Sequence, residues 1–125
     1  MICAADTSTF IAFLEGETGR DVDQLEQALS ERQLLVPPSV IAELLSDPDL
    51  SETHLELFSA LPRVELLDGY WQRVGLSRSK IVKHGFKARL AIALVAQACI
   101  DSNYPLIARD KDFRHFKKYC GLKLL

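Results

Sequence analysis

The chain has 125 residues, of which 48% are hydrophobic and 26% are charged, with 6 Gly, 5 Pro and a formal net charge of −2. We expect a single domain over residues 1–125, because this length buries a substantial core without disulfide or metal crosslinks. The composition excludes a collagen-like chain and is not typical of a disordered one. The three cysteines are odd in number and far apart, which predicts neither a zinc site nor a disulfide framework.

Neither membrane insertion nor export is expected from the sequence. The longest apolar stretch, residues 90–100, is interrupted by Gln97 and is shorter than the roughly 20 residues that cross a bilayer. The first residues contain no basic segment and soon reach Asp6, which is not typical of a secretion signal. The isolated cysteines agree with a reducing compartment, so the sequence predicts a cytoplasmic protein.

The small net charge conceals two halves of opposite sign. Residues 1–70 carry 3 basic and 14 acidic side chains, giving −11, whereas residues 71–125 carry 12 basic and 3 acidic side chains, giving +9. The basic residues cluster within 73–89 and 109–118, which would attract a polyanion to one side of the molecule. The alternative is an internally neutralised surface, with basic helices packed beside acidic ones.

Hydrophobic periodicity predicts strands that alternate with helices along the chain. A strand over 2–5 precedes a helix over 7–14 that Thr7 or Ser8 would cap, and a second helix spans about 22–29. Further strands are predicted over 33–36, 64–67, 105–108 and 122–125, and further helices over 37–45, 51–61, 70–82, 90–96 and 110–119. This alternation predicts an α/β fold with a parallel sheet sandwiched between helices, in three layers.

Acidic residues follow two of these strands. Asp6 comes after the first strand, and Asp110 and Asp112 come after the strand over 105–108. Ligands bind at the carboxyl ends of strands in such sheets, so Asp6 and Asp110 are expected to converge. Glu43 lies away from the apolar stripe of its helix, among small residues. Carboxylates that meet at one edge would suit a hard divalent cation.

Each of these acids also has a purely structural explanation. Asp110 and Asp112 are well placed to cap the last helix, and Glu43 fits an ordinary solvated helix face. Asp6 is harder to explain in this way, because a neighbouring hydroxyl could cap the first helix instead. The pattern alone leaves both explanations open.

Four short blocks together carry a family resemblance. The blocks are Asp6-Thr7-Ser8, residues 39–44, residues 87–98 and residues 105–113. In this order and spacing they resemble the PIN domain, and most closely a VapC-type toxin of the bacterial toxin–antitoxin class. The resemblance covers nearly the whole chain and implies a parallel sheet between helices. It also implies RNA cleavage that depends on Mg²⁺ or Mn²⁺.

The resemblance further implies the roles of individual residues and partners. The catalytic and metal-binding residues would be Asp6, Glu43, Asp110 and Asp112. Basic residues that flank these acids are candidates for phosphate contacts with RNA, namely Lys87, Arg89, Arg109 and Lys111. A cognate antitoxin protein and a homodimer are the implied protein partners, with no membrane involved.

One position departs from the family pattern. The block that begins at Lys87 normally continues with an Asp near the start of the buried helix, where this chain has Ile92. Asp101 lies nine residues further on, more than two helical turns away. Loss of this carboxylate predicts weaker metal binding and hydrolysis. It leaves open a catalytically impaired PIN-like module that binds RNA or a protein partner without cleavage.

Overall fold

The structure is a computed structural model that describes residues 1–125, and its centre is a small parallel sheet. The strands are β1 (Cys3–Ala5), β2 (Leu34–Leu35) and β3 (Leu106–Ile107), in the order β2-β1-β3. All three residues of β1 are buried. Because alternate side chains of a strand point to opposite faces, both faces of the sheet are covered.

Seven helices surround this sheet. They are α1 (Thr7–Leu14), α2 (Arg20–Ser30), α3 (Pro38–Leu45), α4 (Glu52–Ala60), α5 (Tyr70–Lys83), α6 (Leu90–Ser102) and α7 (Phe113–Cys120). One connected core of 28 buried residues takes side chains from every strand and every helix. The predicted α/β class, with a parallel sheet between helices, is confirmed. None of the helices combines the length and the apolar character that crossing a bilayer requires.

Helix α6 is apolar around most of its circumference, as its sequence predicts. Seven of its 13 residues are buried, and it packs against α3, α5 and α7. Arg89 occupies its N-cap position, and Ile92 lies in its first turn. The buried helix therefore carries two residues to the carboxyl edge of the sheet.

Two predicted strands are wrong in extent. The strand expected over 64–67 is not formed, and the chain makes only a bridge between Val36 and Arg63 just before it. The strand expected over 122–125 reduces to a bridge between Leu106 and Leu124. Val64 N donates to Val36 O over 3.0 Å, but the chain then leaves the sheet edge and turns into α5. Only the residues nearest the sheet therefore keep the ladder hydrogen bonds.

Two predicted helix starts also differ. Asp6, rather than Thr7 or Ser8, caps α1, because its Oδ1 accepts a hydrogen bond of 3.1 Å from Thr9 N. Helix α7 begins at Phe113 and not near Asp110. Asp110 instead folds the preceding turn, where its Oδ1 accepts a bond of 2.9 Å from Asp112 N.

Candidate functional site

Three carboxylates from distant parts of the chain line one cleft at the carboxyl edge of the sheet. Asp6 follows β1 directly, Asp110 lies in the loop after β3, and Glu43 projects from α3. The cleft has a volume of about 220 Å³. The predicted convergence of these acids is confirmed, and their chemical roles stay predictions.

Asp6 is the buried member of this group, with 3% of its surface exposed. Its Oδ2 accepts a hydrogen bond of 2.7 Å from Ser8 Oγ, and its Oδ1 accepts the α1 capping bond. No Lys or Arg forms an ion pair with it. Burial raises the pKa of Asp6, and the nearby Asp110 charge adds to that rise against the opposing hydrogen bonds. A buried acid without a cation is a feature of functional sites.

Glu43 lines the same cleft as Asp6 and is joined to the start of α1. Thr7 Oγ1 donates a hydrogen bond of 2.9 Å to Glu43 Oε1 and so joins the first turn of α1 to α3. Glu43 itself is exposed, so its carboxylate keeps contact with solvent. The consecutive residues Thr7-Ser8-Thr9 position the acids. The sequence predicts only a helix-capping role for Thr7 or Ser8.

Arg89 places a positive charge inside this acidic cleft. Its Nη2 donates to Asp110 Oδ2 over 2.8 Å and to Asp112 Oδ2 over 2.9 Å. Asp110 and then Asp112 raise the pKa of the Arg89 guanidinium above its ordinary value. Asp112 does not line the cleft itself and is joined to it through this arginine. The sequence places Arg89 near the site, but it does not predict that a single nitrogen holds both acids.

Ile92 forms part of the apolar wall of the cleft. It is 7% exposed and lies with Ala91 and Val95 beside the three carboxylates. The position that the family resemblance assigns to an acid therefore does face the site. In this chain it offers no oxygen.

The donors in the cleft suit a hard cation, since they are carboxylate and hydroxyl oxygens without sulfur or imidazole. As they lie, however, no group of three or more His, Cys, Asp or Glu side chains is arranged to hold a metal ion. Arg89 occupies an oxygen of Asp110, and Thr7 occupies an oxygen of Glu43. The residues fit a divalent ion by chemistry, provided that Asp110 is released from Arg89.

The four basic residues predicted to contact RNA fall into two pairs. Arg89 is bound to acids in the cleft, and Arg109 lies outside it. Lys87 and Lys111 are exposed and form no ion pair. Two of the four predicted cations are therefore free to meet a phosphate.

Arg109 is held within the protein by the first turn of α2 and the segment before it. It donates two hydrogen bonds to Asp21, of 2.8 and 3.0 Å, and one of 3.0 Å to Glu17. Arg109 holds the pKa of Asp21 below its ordinary value. Thr9 Oγ1 also donates to Asp21, over 3.2 Å, so this cluster supports α1 from behind. Its geometry gives Arg109 a structural role.

Comparison with solved structures agrees with this fold. A chain in the crystal structure of VapBC2 from Rickettsia felis, bound to a DNA fragment from its promoter, is similar with a TM-score of 0.77 and 19% identity, over 100% of this chain and 98% of that one. A chain of VapBC-5 from Mycobacterium tuberculosis, described as a member of the VapBC family of toxin-antitoxin systems, has a TM-score of 0.71 and 16% identity, over 99% and 97% of the two chains.

No curated protein matches the sequence significantly. The family model of the PIN domain matches residues 4–119, which include all of the carboxylates described above. The chain therefore belongs to the PIN-domain family.

Proposed function

We propose that this protein is a divalent-metal-dependent endoribonuclease and the toxin of a toxin–antitoxin pair, with activity weakened by Ile92. The observation that carries the proposal is the cleft in which Asp6, Glu43 and Asp110 meet, with Asp6 buried and unpaired by any cation. Membership of the PIN-domain family and the likeness to chains of VapBC structures support it.

Asp6, Glu43 and Asp110 would hold Mg²⁺ or Mn²⁺, and Asp112 would support Asp110. The bound ion supplies an activated water and stabilises charge on the leaving oxygen of the phosphodiester. Ser8 fixes one oxygen of Asp6, and Thr7 orients Glu43. Arg89, once released from Asp110, lies within the same cleft and is available to an RNA phosphate.

The direct test is cleavage of a labelled single-stranded RNA by the purified chain, with Mg²⁺ or with a chelator. Asp6→Asn keeps the size and capping ability of the side chain but removes its charge, so we expect cleavage to fall at least about a hundredfold. Asp23→Asn, which changes an exposed acid of α2, is the matched control and retains activity. Equal cleavage by Asp6→Asn and the native chain overturns the proposal.

A second candidate function is a catalytically impaired PIN-like module that binds RNA or a protein partner. It is favoured by the apolar Ile92 in the cleft wall and by the ion pairs that Arg89 forms with Asp110 and Asp112. If this alternative holds, the native chain does not cleave RNA and Ile92→Asp gains metal-dependent cleavage. Ile92→Asn, which is polar but uncharged, is the control and gains none. Native cleavage that a chelator abolishes excludes the alternative.

The proposed protein partners are a cognate antitoxin, whose segment would cover the acidic cleft, and a second copy of the chain. Phe10 and Phe58 are not accessible to a partner, because they pack edge to face in the core with centroids 5.8 Å apart. Exposed apolar side chains do lie on α1 and α4, namely Ile11, Leu55 and Leu57. Coexpression with a small DNA-binding protein encoded beside this chain should yield a stable complex with suppressed cleavage.

A further inference from the structure

One face of the molecule combines unpaired positive charge with exposed aromatic rings. Of the 12 basic residues in 71–125, only Arg73, Arg89 and Arg109 form ion pairs, and the other nine form none. Residues 69–100 and 113–125 contain no acid at all. Only Arg109 pairs with acids of the negative half, so most of the positive charge of the second half is not neutralised by ion pairs.

Four rings are stacked in pairs where the end of α5 and the following loop meet α7. The His84 and Tyr119 rings stack with centroids 4.0 Å apart, and the Phe86 and His115 rings stack with centroids 4.3 Å apart. His84 and Phe86 are exposed, and Phe86 keeps 42% of its surface accessible. Each exposed ring is thus supported by a half-buried ring of α7, which fixes its orientation.

Basic side chains surround these rings. Lys83 and Lys87 flank the loop that carries His84 and Phe86, and both are exposed. The Nζ atom of Lys118 lies 5.3 Å from the centroid of the Tyr119 ring. At 100° per residue, Lys118 lies about 60° from His115 around α7, whereas Lys117 lies on the opposite side. The rings therefore share one surface with Lys83, Lys87 and Lys118.

This surface adjoins the acidic cleft through the loop that carries Phe86. Phe113, at the start of α7, and Arg89, three residues after Phe86, both line the cleft. Phe86 precedes Arg89 by three residues, a span of at most about 11 Å along the chain, so the Phe86 ring lies near the rim of the cleft. His115 lies about 160° around α7 from Phe113, so the path from the cleft to the rings follows the loop that carries Phe86. A strand of RNA that enters the cleft would meet these rings next.

We infer that His84, Phe86, His115 and Tyr119, with Lys83, Lys87 and Lys118, form a platform that binds single-stranded RNA beside the cleft. The inference rests on the proposed ribonuclease function and adds where the substrate lies. Unpaired bases stack on the outer rings irrespective of sequence, and the lysines contact the backbone. This arrangement favours single-stranded over double-stranded RNA, because the bases of a duplex have no free faces.

The test is the affinity of the full chain for a fluorescently labelled, unstructured RNA of twelve nucleotides, measured by anisotropy in a chelator so that no turnover occurs. Phe86→Leu keeps apolar packing but removes the ring, so we expect binding to weaken at least about fivefold. Its binding to heparin, which has no bases, should not change. Phe86→Trp retains a ring and should retain RNA binding, which separates stacking from misfolding.

Lys118→Gln should weaken binding to both RNA and heparin, and should reduce the slope of log affinity against log salt by about 0.7. Lys117→Gln, on the opposite side of α7, and Trp71→Leu, an exposed ring at the far end of α5, are the matched controls and should bind RNA as the native chain does. Circular dichroism melts check that every variant is folded.

Three results would show that the proposed platform is wrong. They are no RNA binding by the native chain, an RNA affinity of Phe86→Leu equal to that of the native chain, or an equal loss of RNA affinity in Trp71→Leu. A loss in Lys118→Gln without one in Phe86→Leu shows a general polyanion surface and also overturns it. The proposed function fails separately. If binding follows the expected pattern but Mg²⁺ gives no cleavage, the proposed ribonuclease function is wrong and the proposed platform stands. If the chain cleaves RNA but Phe86→Leu binds RNA as tightly as the native chain, the platform is wrong and the ribonuclease function stands.

Discussion

An arginine binds carboxylate at each end of helix α6, from α5 at the C-terminal end and from the N-cap of α6 at the other, and the two networks differ in how completely they are satisfied. At the C-terminal end, Arg73 donates to both oxygens of Asp101 over 2.8 and 2.7 Å. Gln97 also donates to Asp101, over 2.8 Å, and Ser77 donates to Gln97 over 2.6 Å. The Asp101 side chain is only 6% exposed. Every member has a fixed partner, and the network holds α5 on α6.

At the N-terminal end, one nitrogen of Arg89 serves two carboxylates, and the Arg89 side chain is 57% exposed. The adjacent Asp6 is buried and has no cation. Asp112 Oδ1 and Glu43 Oε2 accept no hydrogen bond here, whereas both oxygens of Asp101 accept one from Arg73. Spare acceptor capacity, rather than the presence of an ion pair, therefore distinguishes the candidate site from the structural network around Arg73.

The largest effect on stability is expected at the satisfied network. Asp101→Ala leaves Arg73 and Gln97 without their shared acceptor, so we expect the free energy of unfolding to fall by about 2–3 kcal/mol. Chemical denaturation measures this loss. Asp112→Ala is the matched change at the open network, where the carboxylate is about half exposed, and should alter stability by less than about 1 kcal/mol. Equal losses in the two variants would remove the distinction between the networks.

The network around Arg89 should bind a divalent cation, whereas the network around Arg73 should not. Arg89→Met frees Asp110 and Asp112 and raises the negative charge of the cleft, so Mn²⁺ should bind about tenfold more tightly. Isothermal titration calorimetry measures the affinity directly and needs no RNA. Arg73→Met is the control and should bind Mn²⁺ as the native chain does. Weaker Mn²⁺ binding by Arg89→Met would show that the arginine supports the site rather than competing within it.

The smallest expected effect concerns pH, and two acids should respond with opposite signs. The folded-state pKa of Asp6 is raised by burial, so its stabilising contribution is present at low pH and is lost as pH rises through that pKa. Asp6→Asn should therefore be more stable than the native chain at pH 7, by about 1 kcal/mol, with a smaller difference in acid.

Asp21 provides the opposite case, because its hydrogen bonds to Arg109 lower its pKa. Its contribution is present at neutral pH and is lost as pH falls through that lowered value. Asp21→Asn should therefore be less stable than the native chain at pH 7, and the deficit should shrink in acid. Thermal melts at several pH values check both variants, and a shift of the same sign in the two would contradict the assigned environments.

The parts of this molecule that follow from sequence are those set by local rules. The hydrophobic period and the turn residues predict the alternation of strands and helices. The position of each acid directly after a strand predicts that Asp6 and Asp110 lie close together. The engagement of Arg109 with Asp21, 88 residues away, follows no local rule, because it depends on how the start of α2 packs against the end of β3. Arg89 is similar, since its two partners are fixed only when α6 and the loop after β3 are in place.

The position of Asp6 in the backbone determines which part of the cleft can adapt. Asp6 N donates to Ile107 O over 3.1 Å as the last rung of the sheet, while the Asp6 side chain caps α1. The residue cannot shift without breaking both the ladder and the helix. Asp110 lies in a loop and Glu43 on an exposed helix face, so they are free of that double restraint. A bound ion would thus meet one fixed carboxylate, Asp6, and two that can move, Asp110 and Glu43. Ions of different radius would be accommodated by movement of Asp110 and Glu43 alone.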